Sequence, residues 1–384
     1  MRGAARPAVL LLSTALTLPV VLGALASPAE AVTSTPAEAT ATATPAEVVT
    51  ERVVSDPAIS ESSGLAPSLL HRGVLWTHND SGHDPVLYAL ARDGSTTARF
   101  TVTGVRGRDW EAVQTLRDRH GRALVAVADT GNNEGNHETV DVVLVREPTV
   151  LRARTGGSLR PLTTVRLRYP DGPADCEALL ADPRDGRLYL VTKGVLGGTL
   201  YAVPEAAWPG SGTGGSERPR VVRASLIPVT RISVPLVTDG AMLPDGQLVL
   251  RSYQRLAVLP PPEGLRGVPV APVTAWASLP AQRQGESLAL IDGAVLVGSE
   301  GVGSPVLRVR LPSGVTVATT TSGRAGAGQG HDRGAGGPGG TGWLPVRGRG
   351  AVAGLAVIVA VATVVATLRL RRRSVGRSGS RSGG

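Results

Sequence analysis

The chain has 384 residues, 40 of them Lys or Arg against 31 Asp or Glu, a formal charge of +9, 3% aromatic residues and one cysteine. So few aromatics argue against a stacking platform for nucleic acid or long glycans, and a single thiol excludes an internal disulfide. The excess charge sits at the two ends, in Arg2 and Arg6 and in the arginines from Arg347 to Arg381; residues 32–342 balance in sign, so the high pI does not indicate a nucleic-acid partner.

Arg2 and Arg6 precede an apolar, uncharged run at 7–26, with small-residue exits at Ala24-Leu25-Ala26 and Ala29-Glu30-Ala31. Residues 1–31 are expected to be a secretory signal, an uncleaved anchor being the alternative. Residues 32–48, made of Thr, Ala, Pro and Glu, have too little bulky apolar surface to fold and are expected to be a disordered spacer.

From 49 to 312 the chain reads as short β-branched runs between Gly, Pro and Asp turns. After a lone strand at 52–55, strands are predicted at 63–69, 74–78, 86–91 and 96–102, then at 111–116, 123–128, 139–146 and 163–169. Further groups follow at 177–181, 187–192, 200–203 and 221–227, at 240–243, 247–253, 256–259 and 268–276, and at 286–291, 294–298 and 306–311, with 204–220 as an insertion. The last group lacks a fourth strand and the first strand lacks a partner. A β-propeller of five four-stranded blades, closed by the N-terminal strand, resolves both gaps. A sixth blade within 204–235 and a β-sandwich are the alternatives.

A carboxylate recurs near the head of each group: Glu61-Ser62-Ser63-Gly64-Leu65, Asp109-Trp110-Glu111-Ala112-Val113, Asp175-Cys176-Glu177-Ala178-Leu179, Thr238-Asp239-Gly240-Ala241-Met242 and Gln284-Gly285-Glu286-Ser287-Leu288. First strands of blades line the axis, so Glu61, Glu111, Glu177, Asp239 and Glu286 are expected to meet at one channel mouth. Second-strand ends should bring Asn79, Asp80, Asp129, Asn132, Asn133, Lys193, Arg251 and Glu300 to the same face. Crowded carboxylates need neutralising. A hard cation such as Ca²⁺ takes roughly six to eight oxygen ligands, and Glu61, Glu111, Asp129 and Glu177 are its candidate ligands; pairing with Lys193 and Arg251 is the competing solution. Glu61, Glu111 and Glu177 are also the candidate bases, should the mouth be catalytic. No Cys pair or His-Glu-x-x-His suggests a transition metal, no Gly-x-Ser-x-Gly elbow or phosphate loop is present, and Cys176 reads as a small buried hydrophobe.

Residues 313–349 read as a Gly-rich linker. Residues 350–368 are uncharged and apolar, about 28 Å long as a helix, and are expected to span a membrane. The basic tail 369–384 then stays cytoplasmic, which makes the protein a single-pass cell-membrane protein with its propeller outside. Leu344-Pro345-Val346-Arg347-Gly348 offers a weaker alternative, a degenerate sortase signal.

Five segments taken together carry a resemblance: Trp76-Thr77-His78-Asn79-Asp80-Ser81-Gly82, Asp109-Trp110-Glu111-Ala112, Ala128-Asp129-Thr130-Gly131-Asn132-Asn133, Asp175-Cys176-Glu177-Ala178-Leu179 and Gln284-Gly285-Glu286-Ser287. Over about residues 58–312 the chain resembles exported bacterial β-propellers of actinobacterial type with no settled activity. More distantly it is similar to Ca²⁺-dependent lactonase and esterase-like propellers, whose site sets Glu, Asn and Asp around one cation. The resemblance implies a surface propeller. The function expected is binding of a small ligand or surface protein at an acidic mouth, the alternative being a Ca²⁺-type hydrolase of lactones, phosphoesters or other esters.

Overall fold

The computed structural model describes residues 48–151, 156–208, 219–312 and 315. The expected signal 1–31, the spacer up to residue 47, the linker 313–349 save residue 315, the membrane helix 350–368 and the tail 369–384 lie outside the described residues. Among the described residues no helix is long and apolar enough to cross a membrane.

The described residues form a five-bladed all-β propeller. β1 (Val49–Val53) comes first. Blade 1 is β2 (Ser62–Pro67), β3 (Leu75–Asn79), β4 (Val86–Leu90) and β5 (Thr96–Val102). Blade 2 is β6 (Trp110–Arg117), β7 (Ala123–Asp129), β8 (Val140–Arg146) and, after β9 (Gly157–Leu159), β10 (Thr163–Arg168). Blade 3 is β11 (Cys176–Ala181), β12 (Leu188–Thr192), β13 (Gly198–Ala202) and, after β14 (Arg220–Ser225), β15 (Ile227–Ile232). Blade 4 is β16 (Val237–Met242), β17 (Leu248–Ser252), β18 (Arg255–Leu259) and, after β19 (Val270–Ala271), β20 (Ala275–Ser278). Blade 5 is β21 (Leu288–Ile291), β22 (Ala294–Val297) and β23 (Pro305–Val309). β1 pairs antiparallel with β23 and supplies the fourth strand of blade 5, so the ring closes as expected. The inner strands β2, β6, β11, β16 and β21 touch in sequence, and β21 touches β2.

Side chains of a strand alternate between faces, so each inner strand serves two interfaces. Val113 packs into the core between blades 1 and 2, and its neighbour Ala112 into the core between blades 2 and 3. Ala178 and Leu179 divide in the same way between blades 3 and 4 and blades 2 and 3. One apolar cluster fills each of the five interfaces, the last joining blade 5 to blade 1 through Val54, Ile59, Leu65 and Leu296. Buried apolar area of this kind is the main favourable term in a chain with no disulfide. The axis is crossed by Gln114, whose Nε2 donates to Gly240 O at 2.9 Å, blade 2 to blade 4.

Two strand expectations are corrected. The run at 221–227 is not the fourth strand of blade 3; β14 pairs in parallel with β10 of blade 2, and β15 is the fourth strand. Likewise 268–276 divides into β19, on the edge of blade 3, and β20, in blade 4. In both places a β-branched run marks a strand correctly but does not disclose which sheet it joins.

Candidate functional site

Each inner strand begins with a defect. The register shifts between Ser62 and Gly64, Trp110 and Ala112, Cys176 and Ala178, and Val237 and Asp239. In blade 5, Gly298 N donates to Ser287 O while Glu300 N donates to Gln284 O, which demands the same extra residue. Such a bulge inserts one residue against the partner strand and re-aims its side chain. The extra residues are Ser63, Glu111, Glu177, Thr238 and Glu286. Two residues earlier stand Glu61, Asp109, Asp175 and Gln284, whose carbonyls accept from Asp80, Thr130, Lys193 and Glu300 N at 2.9–3.1 Å. Glu61 is thus the counterpart of Asp109 and Asp175, and Thr238, not Asp239, is the counterpart of Glu111.

Asp109 and Asp175 make the site denser than the sequence motifs suggest. Carboxylate oxygens of Asp80, Asp109 and Glu111 lie within 4.8 Å of one another, as do those of Glu111, Asp175 and Glu177. Glu111 belongs to both sets. Burial first, then repulsion from Asp80, Glu177, Asp109 and Asp175, pushes its carboxyl well above the usual range. Burial also raises Glu177, against the pull of Lys193. The Lys193 ammonium bonds Glu177 and donates to Tyr253 Oη at 3.2 Å. Burial works against its charge, but Glu177, Glu286 and Tyr253 outweigh it and hold the ammonium protonated. A bare backbone completes the cradle: a β-carbon at Gly131 would collide with Asp109 Oδ2 and Glu111 Oε1.

The remaining expected residues divide by task. Asn79 Oδ1 accepts from Glu61 N at 3.1 Å and its Nδ2 donates to Ala58 O at 2.8 Å. Asp129 Oδ1 accepts from Asp109 N at 2.9 Å and Arg108 N at 3.1 Å, with Arg108 Nε 3.8 Å from Oδ2. Ser299 Oγ does the same for Gln284 N at 3.1 Å. These three side chains hold the bulges in shape. Asn132 spends its amide on the His137 backbone, at 3.0 and 3.1 Å, while its own N–H donates to Asp175 Oδ1 at 2.8 Å. Asn133 is exposed on that loop. Glu61 faces His83 Nδ1 at 3.4 Å and is in neither carboxylate set.

Asp239 is fully buried and accepts from Leu288 N at 2.6 Å and Gly240 N at 2.8 Å, which staples blade 4 to blade 5. Arg251 donates to Ser287 O at 2.5 Å and Gly298 O at 2.7 Å; burial draws its pKa down to about 10, opposed by Glu286, Asp239 and Tyr253. Glu286 adds its negative charge to the field at Glu177 and Lys193. Glu300 accepts from Gln284 Nε2. Cys176 is buried, and burial pushes its thiol up to about 12, which suits a packing role.

Sequence reasoning passed over Asp109, Asp175 and Tyr253. The repeated Asp-x-Glu spacing, at 109/111 and 175/177, was the available signal for the first two. Tyr253 follows β17 as Lys193 follows β12, a correspondence visible only once the strands are paired.

No protein-family model and no curated protein matches the chain. Among solved structures it is similar to a gluconolactonase from Xanthomonas campestris, with 15% identity and a TM-score of 0.36 over 70% of this chain and 90% of that one. It is also similar to a glucose dehydrogenase (14%, TM-score 0.39, 69% and 99%) and to the glutaminyl cyclase of Myxococcus xanthus (11%, TM-score 0.37, 69% and 96%).

Proposed function

We propose that this propeller is a binding module whose mouth holds a hard divalent cation of the Ca²⁺ type, and through it an oxygen-rich ligand. The observation that carries the reading is the pair of carboxylate sets sharing Glu111. Five acids (Asp80, Asp109, Glu111, Asp175, Glu177) converge there with Lys193 at one end of the arc. Such a cluster is stable only if its charge is offset, and clustered carboxylate oxygens suit Ca²⁺. Thermal unfolding of the full-length protein tests it. Ca²⁺ at a hundred- to thousandfold excess over Kd should add about 3–4 kcal/mol relative to chelator. Unfolding that is the same in Ca²⁺ and in chelator removes the reading.

A second reading, hydrolysis of a lactone, phosphoester or other ester, is favoured by the Glu177–Lys193–Tyr253 chain beside those acids. A bound cation would supply polarisation of the substrate oxygen; Glu177 would hold the proton taken from water, with Lys193 and Tyr253 keeping it in place. Turnover of such substrates that survives in Glu177→Gln would exclude it. The same proposal seats the propeller outside the cell on a membrane anchor at 350–368, which fractionation and protease accessibility of intact cells would check.

A further inference from the structure

Each first strand starts at the mouth and runs away from it, so the turns after first and third strands build the opposite face. Both ends of the propeller lie on that face. β23 is a third strand and ends there at Val309; β1, antiparallel to it, starts there at Val49. Leu311 and Val315 pack on the core between blades 4 and 5 and keep the chain against the ring as far as residue 315. Val49, Val315 and Gly293, in the turn between β21 and β22, line one cleft. The chain thus sets out toward the segment expected to cross a membrane, 350–368, from the face opposite the mouth.

On the same face two turns, one from blade 1 and one from blade 2, pack together. Ser68 Oγ donates to Glu147 Oε1 at 2.5 Å, Leu69 N donates to Glu147 Oε2 at 3.1 Å, and His71 Nε2 lies 2.7 Å from Pro148 O. These bonds bury Glu147 and fix the backbone, yet they leave the tips bare: Leu69 is 36%, Leu70 40% and Val150 55% exposed. Arginines stand around them. Arg72 belongs to the first turn. Arg92 lies over Gly73, where a β-carbon would come within 2.2 Å of its Nε. Arg117 is two residues past Thr115, whose Oγ1 donates to Pro67 O at 2.7 Å. All three are exposed, as is Arg146. Of the acids in these turns and their neighbours, Glu147 is buried, Asp118 is bonded to Arg122, and Asp93 is exposed. The accessible charge here is therefore positive.

We propose that the turns 68–72 and 147–150 dock on an anionic lipid surface. Leu69, Leu70 and Val150 enter the boundary between headgroups and acyl chains, and Arg72, Arg92 and Arg117 meet the headgroups. The mouth face also bares apolar tips, Leu196 and Val302, but beside the carboxylates of Asp175, Glu177 and Glu300, which repel such a surface. Departure of the chain from the basic face selects a lipid surface over an acidic protein: an anchor keeps the bilayer within reach, so a small patch suffices. The proposal rests on the membrane reading above and is independent of any cation in the mouth. It turns the mouth away from the bilayer, so its ligand arrives from solution or from a facing surface.

Hydrogen–deuterium exchange on the full-length protein in lipid nanodiscs tests it, with chelator present so that no cation bridges protein and lipid. In phosphatidylglycerol discs the amides of 69–72 and 149–151 should exchange at least about fivefold more slowly than in phosphatidylcholine discs. About 0.5 M salt should remove the difference, and the amides of 195–196 and 302–303 should keep one rate in both. In the double variant Leu70→Asp with Arg72→Glu, two exposed positions, the slowing should vanish while the response to Ca²⁺ matches that of the unsubstituted protein. Equal rates at 69–72 and 149–151 in the two discs would overturn the proposal. So would slowing at 195–196 and 302–303 instead, since the mouth would then face the lipid. Slowing that ignores lipid charge and rises with protein concentration would also overturn it, the partner then being a second copy. The anchor is read separately: a protein that alkaline carbonate strips from membranes lacks it, and the same exchange comparison is then made with vesicles of the two lipids added to the free protein.

Discussion

Glu111 is under electrostatic strain in the mouth, because it is buried and stands in both carboxylate sets. Glutamine has its shape without its charge. In chelator, Glu111→Gln should therefore stabilise the protein by roughly 1–3 kcal/mol, the scale of relieving an uncompensated buried polar group. With Ca²⁺ present the ranking should reverse, because the variant has lost a ligand. A variant less stable than its parent in chelator, and equally responsive to Ca²⁺, would count against the site. Gly131 gives a test that alters no charge: a β-carbon there meets Asp109 Oδ2 and Glu111 Oε1. Gly131→Ala should push the two acids apart and weaken Ca²⁺ binding about tenfold or more, which calorimetric titration would read. Affinity equal to the parent's would place the cation elsewhere.

At the scale of the element, the hairpins at the far ends of β6 and β11 rest on paired aspartates. Asp118 accepts from His120 N, Arg122 N and Arg122 Nε at 2.6–3.0 Å. Asp182 accepts from Arg184 N and Nε at 2.9 Å and from its Nη2 at 2.6 Å. Burial opposes both charges, but the bonds to Arg122 and Arg184 outweigh it and hold both carboxyls below the ordinary aspartate value of 3.8. An acid whose folded pKa is depressed binds its proton more weakly when native. Its stabilisation is present above 3.8 and is lost as pH falls through the folded value. Asp182→Asn should cost roughly 1–3 kcal/mol at neutral pH and flatten the loss of stability below pH 3.8, as acid titration followed by circular dichroism would show. An unchanged acid limb would mean that other carboxylates govern it. The strands these turns connect were legible in the sequence because alternating β-branched runs between Gly and Asp turns have one plain reading. The bulges were not. A bulge adds a residue to one strand without any mark in composition, so Glu61 aligns by eye with Glu111 although it pairs as Asp109 does. The partners of the strands that cover a neighbouring blade's edge were equally hidden: the runs that form β14 and β19 read as strands but not as strands on another blade's sheet, and β9 did not read as a strand at all.

At the scale of the whole molecule, the seam of this propeller is its closure in blade 5, where the first strand pairs with the last and only non-covalent contacts join the two. Here β1 bridges that seam, pairing with β23 while Val54 and Ile59 fill the core between blades 5 and 1. Arg52 reaches farther. It is 4% exposed, and its Nη1 lies 3.2 Å from Gly73 O, 3.3 Å from Leu90 O and 2.9 Å from Ala91 O, all carbonyls of blade 1. The three carbonyls converge on one nitrogen, Nη1, whose two N–H groups they share, so removing the side chain strands all three at once. Arg52→Ala should cost about 2–4 kcal/mol by leaving those acceptors dry. Because the seam opens as one unit, exchange protection should fall first in β1, β23 and β4, while the amides of blade 3 keep the rates of the unsubstituted protein. Arg52→Lys should recover part of the loss. A uniform fall in protection around the ring would instead mean that the blades unfold together and that the seam is no weaker than any other interface, in which case ring cooperativity, not the Arg52 latch, sets the stability of this propeller.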